Sequence, residues 1–372
     1  MQKYTLEEYT HYTQYFILFD VIFKINEINK EEFLFDNDIN PSSYRRSKQK
    51  EQKIGKEIAI KLANIFSIEI VGKEYIHRVE ALINAAYYDM YYKIFTRYDK
   101  YTEEVLELKK DNTILSPIVS LLDLFLKINS RYYSNESFEG WRSEYLDLKK
   151  YYAYFSEQLL SIFRLLEITF ENDLAYQNIE ESKNDGFSYF IRSFVTWKHH
   201  DYLASLYFST KAREILNREN NFKRLSYVNL NHMSSLNYLE NYEDCYSIAE
   251  RQLLYLESIS ADSVEIKRTE EHLMMSVLGL GKYDEIIEML RNKKKMDLNQ
   301  FSSLLVAYSK TDMEEYKRYY DCEIRKTQFP DNVLEYFKLL NEFILTHNKK
   351  LIINFEKYNV SGVIINIYKK LY

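Results

Sequence analysis

The chain has 372 residues, a formal net charge of −6, and only 7 glycines and 3 prolines. That length supports two or more domains with a large buried core. So few breakers, together with apolar residues at helical spacing and no long alternating Val/Thr runs, exclude a β-rich fold and point to an all-α protein.

The first section, residues 1–70, reads as a small helical domain. Leu6 to Ile25 is apolar and aromatic at helical spacing. Its runs Tyr15–Phe19 and Val21–Phe23 are cut by Asp20 and Lys24, too soon to span a bilayer. The N-terminus also lacks the basic region and small-residue cleavage site of a signal peptide, so a cytoplasmic location is expected. Asn29 is placed to cap a short helix over Lys30–Phe35, and Asp36-Asn37-Asp38-Ile39 is a turn-prone connection. Asn40 is then a helix cap and Pro41 a first helical residue, where its missing donor costs nothing.

The helix that follows opens a strongly basic segment. Segment 41–61 holds seven cations (Arg45, Arg46, Lys48, Lys50, Lys53, Lys56, Lys61) against Glu51 and Glu57, a balance of +5 that leaves −11 on the remainder. A basic island on an acidic body is the asymmetry of a protein that touches nucleic acid at one end, and a solvated lysine-rich face is the plainer alternative. Ser42, Ser43, Tyr44, Arg45, Arg46 and Lys48 fall on the first turns, where a recognition helix presents side chains to phosphates and base edges. Gly55 breaks the pattern, and Ile58 to Phe66 is amphipathic and suited to close the small core.

Val71-Gly72-Lys73 is a plausible hinge, and residues 71–372 read as paired helices. Three turns align, His200-Asp201-Tyr202, Asn241-Tyr242-Glu243 and Lys282-Tyr283-Asp284, and their tyrosines recur at an almost constant interval of about 40 residues. That period belongs to helical-hairpin repeats that stack into a superhelix with one continuous wall, which usually holds an extended peptide or another protein. On that wall Asn229, Asn231 and His232 share one helix. An amide that both donates and accepts can pair with a peptide backbone, while an inter-helix hydrogen bond is the ordinary alternative. Arg192 and His272 fall at or next to the corresponding place in the neighbouring repeats. The arginine could fork onto a peptide carboxylate, against the ordinary reading of a solvated arginine and a packed histidine.

No enzyme signature is present. Gly279-Leu280-Gly281 lies in a repeat turn without a phosphate-loop pattern, so it reads as a helix terminator. Cys245 and Cys322 lie outside metal or redox spacing, adjacent His199 and His200 face different sides of a helix, and no nucleophile–base arrangement occurs. No catalytic residue, metal or cofactor is expected.

Ile39-Asn40-Pro41-Ser42-Ser43-Tyr44-Arg45-Arg46, followed by Ile58 to Ile68, resembles the second half of a Cro-type helix-turn-helix. Asn231-His232-Met233 to Tyr242-Glu243-Asp244 resembles a tetratricopeptide unit. The combination is similar to the RRNPP family of Gram-positive bacteria and their phages. Lys30-Glu31-Glu32-Phe33-Leu34 stands where that family's Gln-x-x-Leu-Ala would lie, and the repeats are longer than the usual tetratricopeptide period. The resemblance implies a cytosolic homodimer with a DNA-binding helix-turn-helix domain at 1–70. It also implies a right-handed tetratricopeptide-like superhelix at 71–372 for peptide binding and dimerisation, with a short signalling peptide altering DNA binding. Asn231, in the helix before the Tyr242 turn, matches the asparagine that clamps peptide backbone in the family. The family also contains Rap-like proteins, which implies the alternative that the N-terminal helices bind a response regulator or another protein instead of DNA.

Overall fold

Capping asparagines set the first helices. In the computed structural model, which describes all residues except 1–2, 50–52, 95, 132–137, 172–184, 260, 262, 294, 325–328 and 359, Asn29 Oδ1 accepts the Glu32 amide at 3.4 Å and Asn40 Oδ1 accepts the Ser42 and Ser43 amides at 2.9 and 3.2 Å. These caps begin α2 (Lys30–Asp36) and α3 (Pro41–Gln49), which follow α1 (Tyr12–Ile25) and precede α4 (Lys53–Ile65). Lys50 and Glu51 of the basic segment lie outside the described residues. Gly55 does not break the chain there: it lies inside α4, where a Cβ would come within 3.0 Å of Ser47, so the missing side chain lets α3 and α4 approach closely. The core between these helices is aromatic, with Phe33 stacked on Phe66 at 5.5 Å and Phe19 and Phe23 packed against the same ring.

The chain continues through α5 (Lys73–Tyr92), α6 (Tyr98–Leu108), α7 (Ser116–Arg131), α8 (Arg142–Lys149), α9 (Glu157–Phe170) and α10 (Gly186–Lys198). Then come α11 (Tyr202–Arg218), α12 (Phe222–Tyr238), α13 (Tyr242–Ser258), α14 (Ser263–Gly279), α15 (Tyr283–Leu290), α16 (Leu298–Thr311), α17 (Met313–Tyr319), α18 (Asp331–Thr346) and α19 (Gly362–Leu371). Among the described residues the structure is helical apart from short turns and an isolated bridge between Glu69 and Thr113, as an all-α fold requires. Among those residues no helix is long and apolar enough to cross a membrane.

Two compact units result: Met1–Val195 with Glu219–Arg224, and Thr196–Arg218 with Leu225–Tyr372. The first unit continues well past residue 70, where the sequence pattern suggests a boundary. The Tyr4 and Leu6 amides donate to Asn84 and Glu80 of α5, each at 2.8 Å, and the Tyr9 hydroxyl donates to the Tyr154 carbonyl at 3.0 Å. Residues on both sides of Gly72 therefore share one core.

In the second unit the repetition read from the tyrosines is a backbone feature. The amides of Asp201, Asn241 and Lys282 each bond the carbonyl five residues back, on Thr196, Leu236 and Val277, at 2.9, 2.9 and 3.1 Å. The residue before each amide, His200, Glu240 or Gly281, is left-handed with φ of 61°, 64° and 70°. This six-to-one bond with a left-handed residue ends the first helix of a pair and turns the chain into the next one. Tyr202, Tyr242 and Tyr283 each open the following helix, and Tyr202 stacks flat on Tyr238 at 4.2 Å.

Candidate functional site

The basic helix α3 has a held side and a presented side. Tyr44 and Ser47 face the core: the Tyr44 hydroxyl donates to the Phe16 carbonyl at 3.2 Å and to Asp20 Oδ1 at 2.9 Å, and the ring lies edge-on to Phe16. At 1% exposure Tyr44 is an anchor, so its expected role as a DNA contact is corrected. An apolar ring three residues after Pro41 and three before Ser47 lies on the stripe a short helix must bury. Ser43 is half-buried, with its amide on Asn40 and its carbonyl accepting from Ser47 Oγ at 2.8 Å. Ser42, Arg45, Arg46 and Lys48 are exposed.

Those cations are not bare. Arg45 pairs with Glu31, Lys48 reaches Asp20 at 2.5 Å, and Arg46 Nε donates to the Ser42 carbonyl at 3.3 Å. Asp20, read in the sequence only as an interruption of an apolar run, gathers Lys30, Lys48 and Tyr44. Burial opposes its charge, but hydrogen bonds from Lys48, Tyr44 and Lys30 outweigh burial and hold its carboxyl below the usual aspartate value. A lone acid inside an aromatic helix was the available signal, since a half-buried carboxylate needs cationic partners.

The residues expected to line a peptide groove are mostly engaged inside the protein. Asn231 is buried and donates to Ser205 Oγ at 3.3 Å, and Ser235 one turn on donates to the same oxygen at 2.8 Å. His272, at the equivalent place in the next pair, lies 3.4 Å from Asn237 Nδ2, and burial with the Arg268 charge pushes its pKa down to about 4. Arg192 belongs to the first unit, where it is buried with its guanidinium 5.0 Å from the centre of the Tyr189 ring. The plainer readings, an inter-helix hydrogen bond and a packed histidine, thus describe Asn231 and His272, whereas Arg192 is buried rather than solvated and lies over a ring of its own helix. Asn229 differs, because its Oδ1 is shielded from water and has no hydrogen-bond partner.

A cleft of about 290 Å³ in the first unit is lined by Leu18, Ile22, Lys109, Thr113, Ser116 and Glu144, among others. Several of its polar groups are already engaged: Lys109 pairs with Asp123 behind the lining at 2.5 Å, Glu144 with Lys127 at 2.8 Å, and the Thr113 amide donates to Ser116 Oγ at 2.8 Å. No family model, no curated protein and no solved structure matches this chain.

Proposed function

We propose that the protein is a cytoplasmic, homodimeric transcriptional regulator that binds DNA through an N-terminal helix-turn-helix and is switched by a short peptide bound in tetratricopeptide-like paired helices. The observation that carries this reading is the geometry of α2, the turn and α3. Asp38 is left-handed at φ 51°, Ile39 is buried, and Tyr44 and Ser47 hold α3 down while Ser42, Arg45, Arg46 and Lys48 point outward. A tight turn between two short helices, the second anchored and basic, is how a recognition helix is offered to a major groove. Exposed pairs such as Arg45–Glu31 are worth only about 0.2–1 kcal/mol, so a phosphate can displace the carboxylate.

A second reading follows from those same pairs. With Glu31 and Asp20 beside its cations, the α2–α3 surface has mixed charge, which suits a Rap-like protein contact as well as DNA.

Duplex binding measured against salt separates the two. For DNA binding, the Arg45→Ala/Arg46→Ala double variant should flatten the slope of log K on log salt by about 0.9 for each phosphate no longer neutralised, up to about 1.8. Unchanged affinity and slope in that variant, or no salt-sensitive binding by the wild type to fragments selected from a genome, would reject the DNA reading.

A further inference from the structure

The cleft of the first unit lies where the N-terminal helices meet the ones that follow. Leu18 and Ile22 of α1 and Ile68, just past α4, give it an apolar side. Glu144, Asp147 and Leu148 line it at helical spacing, so two carboxylates and a leucine share one face of α8. Hydrogen bonds hold the place together: the Glu69 amide donates to the Asn112 carbonyl at 2.7 Å, and Asn112 Nδ2 donates to the Ser67 carbonyl at 2.8 Å. At about 290 Å³ the cleft admits a small molecule rather than an extended chain.

The groups already engaged there are the ones an anion or a metal would need. At the start of α7 the Thr113 amide donates to Ser116 Oγ at 2.8 Å, the Leu115 amide to Thr113 Oγ1 at 3.1 Å and the Ser116 amide to the Thr113 carbonyl at 3.0 Å, while Pro117 has no amide. Lys109, the cation among the described lining residues, is held at 2.5 Å by Asp123, which is 1% exposed. Among the described residues no group of three acids, histidines or cysteines is placed to hold a metal. What remains uncommitted accepts hydrogen bonds. Glu144 meets Lys127 through Oε2 and leaves Oε1, and Asp147 meets the exposed Lys150 through Oδ1 at 2.6 Å and leaves Oδ2. The hydroxyls of Ser120 and Tyr151, both lining the cleft, make no hydrogen bond among the described residues. Acceptors therefore stand beside an apolar surface.

We propose that this cleft binds a primary ammonium carried on a small apolar body, the grouping shared by a monoamine and by a free α-amino acid with an apolar side chain. The ammonium has three donors and no acceptor, so it matches Glu144, Asp147 and the two hydroxyls, and charge assistance strengthens its bonds to the carboxylates. The body lies against Leu18, Ile22, Ile68 and Leu148 and leaves water. Lys150 yields Asp147 readily, since an exposed ion pair is weak. An amino acid differs from an amine only in bringing a carboxylate, which Lys109 takes with the protons that Asp123 does not use. The inference depends neither on DNA binding nor on the peptide reading.

Thermal denaturation of the full-length protein at neutral pH tests it with probes that share one skeleton: isoamylamine, leucine, isovalerate and isoamyl alcohol, with phenethylamine and phenylalanine for a ring body. The ammonium probes raise the melting temperature by binding the folded state, whereas the acid and the alcohol leave it in place. Glu144→Gln combined with Asp147→Asn keeps the shapes and removes both charges, so the concentration needed for a given shift rises at least about tenfold. Ser120→Leu, at a half-buried position, fills the cleft and removes the response without breaking a hydrogen bond among the described residues. A shift with the amines alone assigns the ligand to a monoamine. A shift with the amino acids, lost in Lys109→Gln, assigns it to an amino acid. No shift with any ammonium probe, an equal shift with isovalerate or isoamyl alcohol, or a full response in both the charge and the filling variants overturns the proposal.

Discussion

His232 and His272 are kept neutral by their surroundings, since burial, and then Arg213 and Arg268 respectively, pushes their pKa values to about 3 and about 4. An unfolded histidine takes up its proton near pH 6.5. Below that pH the unfolded chain binds protons that the folded one refuses, so stability is full above about pH 6.5 and declines as the medium becomes more acid. Each histidine contributes up to about 1.4 kcal/mol per pH unit until its own folded-state value is reached. Urea unfolding of the full chain at pH 7 and at pH 5.5 should show that loss. His272→Gln, which keeps a donor and an acceptor for Asn237, should remove about half of the histidine-driven slope. An identical slope in the variant would sink this account. The same residues show what sequence alone leaves open about a polar position. Asn231 and His272 do sit at equivalent places in neighbouring pairs, but whether a polar side chain lines a wall or bonds a neighbour depends on what faces it. Here the facing groups are Ser205 and Asn237, and only the serines at 205 and 209, one turn apart, hinted at a small polar seam.

At the scale of the element, one glycine explains a helix end differently from its sequence reading. Gly279-Leu280-Gly281 looked like a terminator, and Gly281 is one, with φ +70°. Gly279 serves packing instead, because a Cβ there would lie 2.6 Å from Cγ of the Tyr242 ring, so the missing side chain admits the tyrosine that opens α13. Gly279→Ala is therefore expected to destabilise the protein by about 1–3 kcal/mol, the usual cost of overpacking. Gly72→Ala is the control, because nothing lies within 4 Å of that position and its φ is −77°. Chemical denaturation midpoints decide the matter, and equal stability of the two variants would contradict the packing role. The turns themselves were legible because a left-handed residue, its backbone bond and a following tyrosine are close together in the chain and recur at one period. The fit of Tyr242 against Gly279 was not legible, since it joins distant residues through the packing of separate helices. The N-terminal helices were equally local: the caps at Asn29 and Asn40 lie where composition put them, whereas the pairing of Asp20 with Lys48 needed the fold.

For the whole molecule the informative stretch is Glu219–Arg224, six residues that belong to the first compact unit although the chain on both sides of them belongs to the second. They close the C-terminal end of α5. Asn221 Nδ2 donates to the Tyr91 carbonyl at 3.0 Å, and Arg224 donates to the Tyr91 carbonyl at 3.3 Å and to the Met90 carbonyl. The Arg224 guanidinium also lies 5.0 and 5.8 Å from the centres of the Phe187 and Phe190 rings. The last carbonyls of a helix have no intrahelical partner, and leaving a buried one unpaired costs about 1–3 kcal/mol. No local pattern forecasts this, because the bonded residues are far apart in the chain, which is also why a boundary drawn at residue 70 missed the true extent of the unit. Arg224→Ala removes the donors and the stacked cation together, so it should cost at least about 3 kcal/mol, the sum of lost charged hydrogen bonds and cation–π contact. Arg218→Ala, at an exposed arginine whose Nε donates to the Glu214 carbonyl of its own helix, should stay within about 0.5 kcal/mol of the wild type. Hydrogen exchange locates the effect. If the segment ties the first unit together, Arg224→Ala speeds exchange of amides in α5 more than in α16, whose Asp297 capping box lies in the other unit. Uniform acceleration in both helices would mean that the segment stabilises the chain without belonging to one unit.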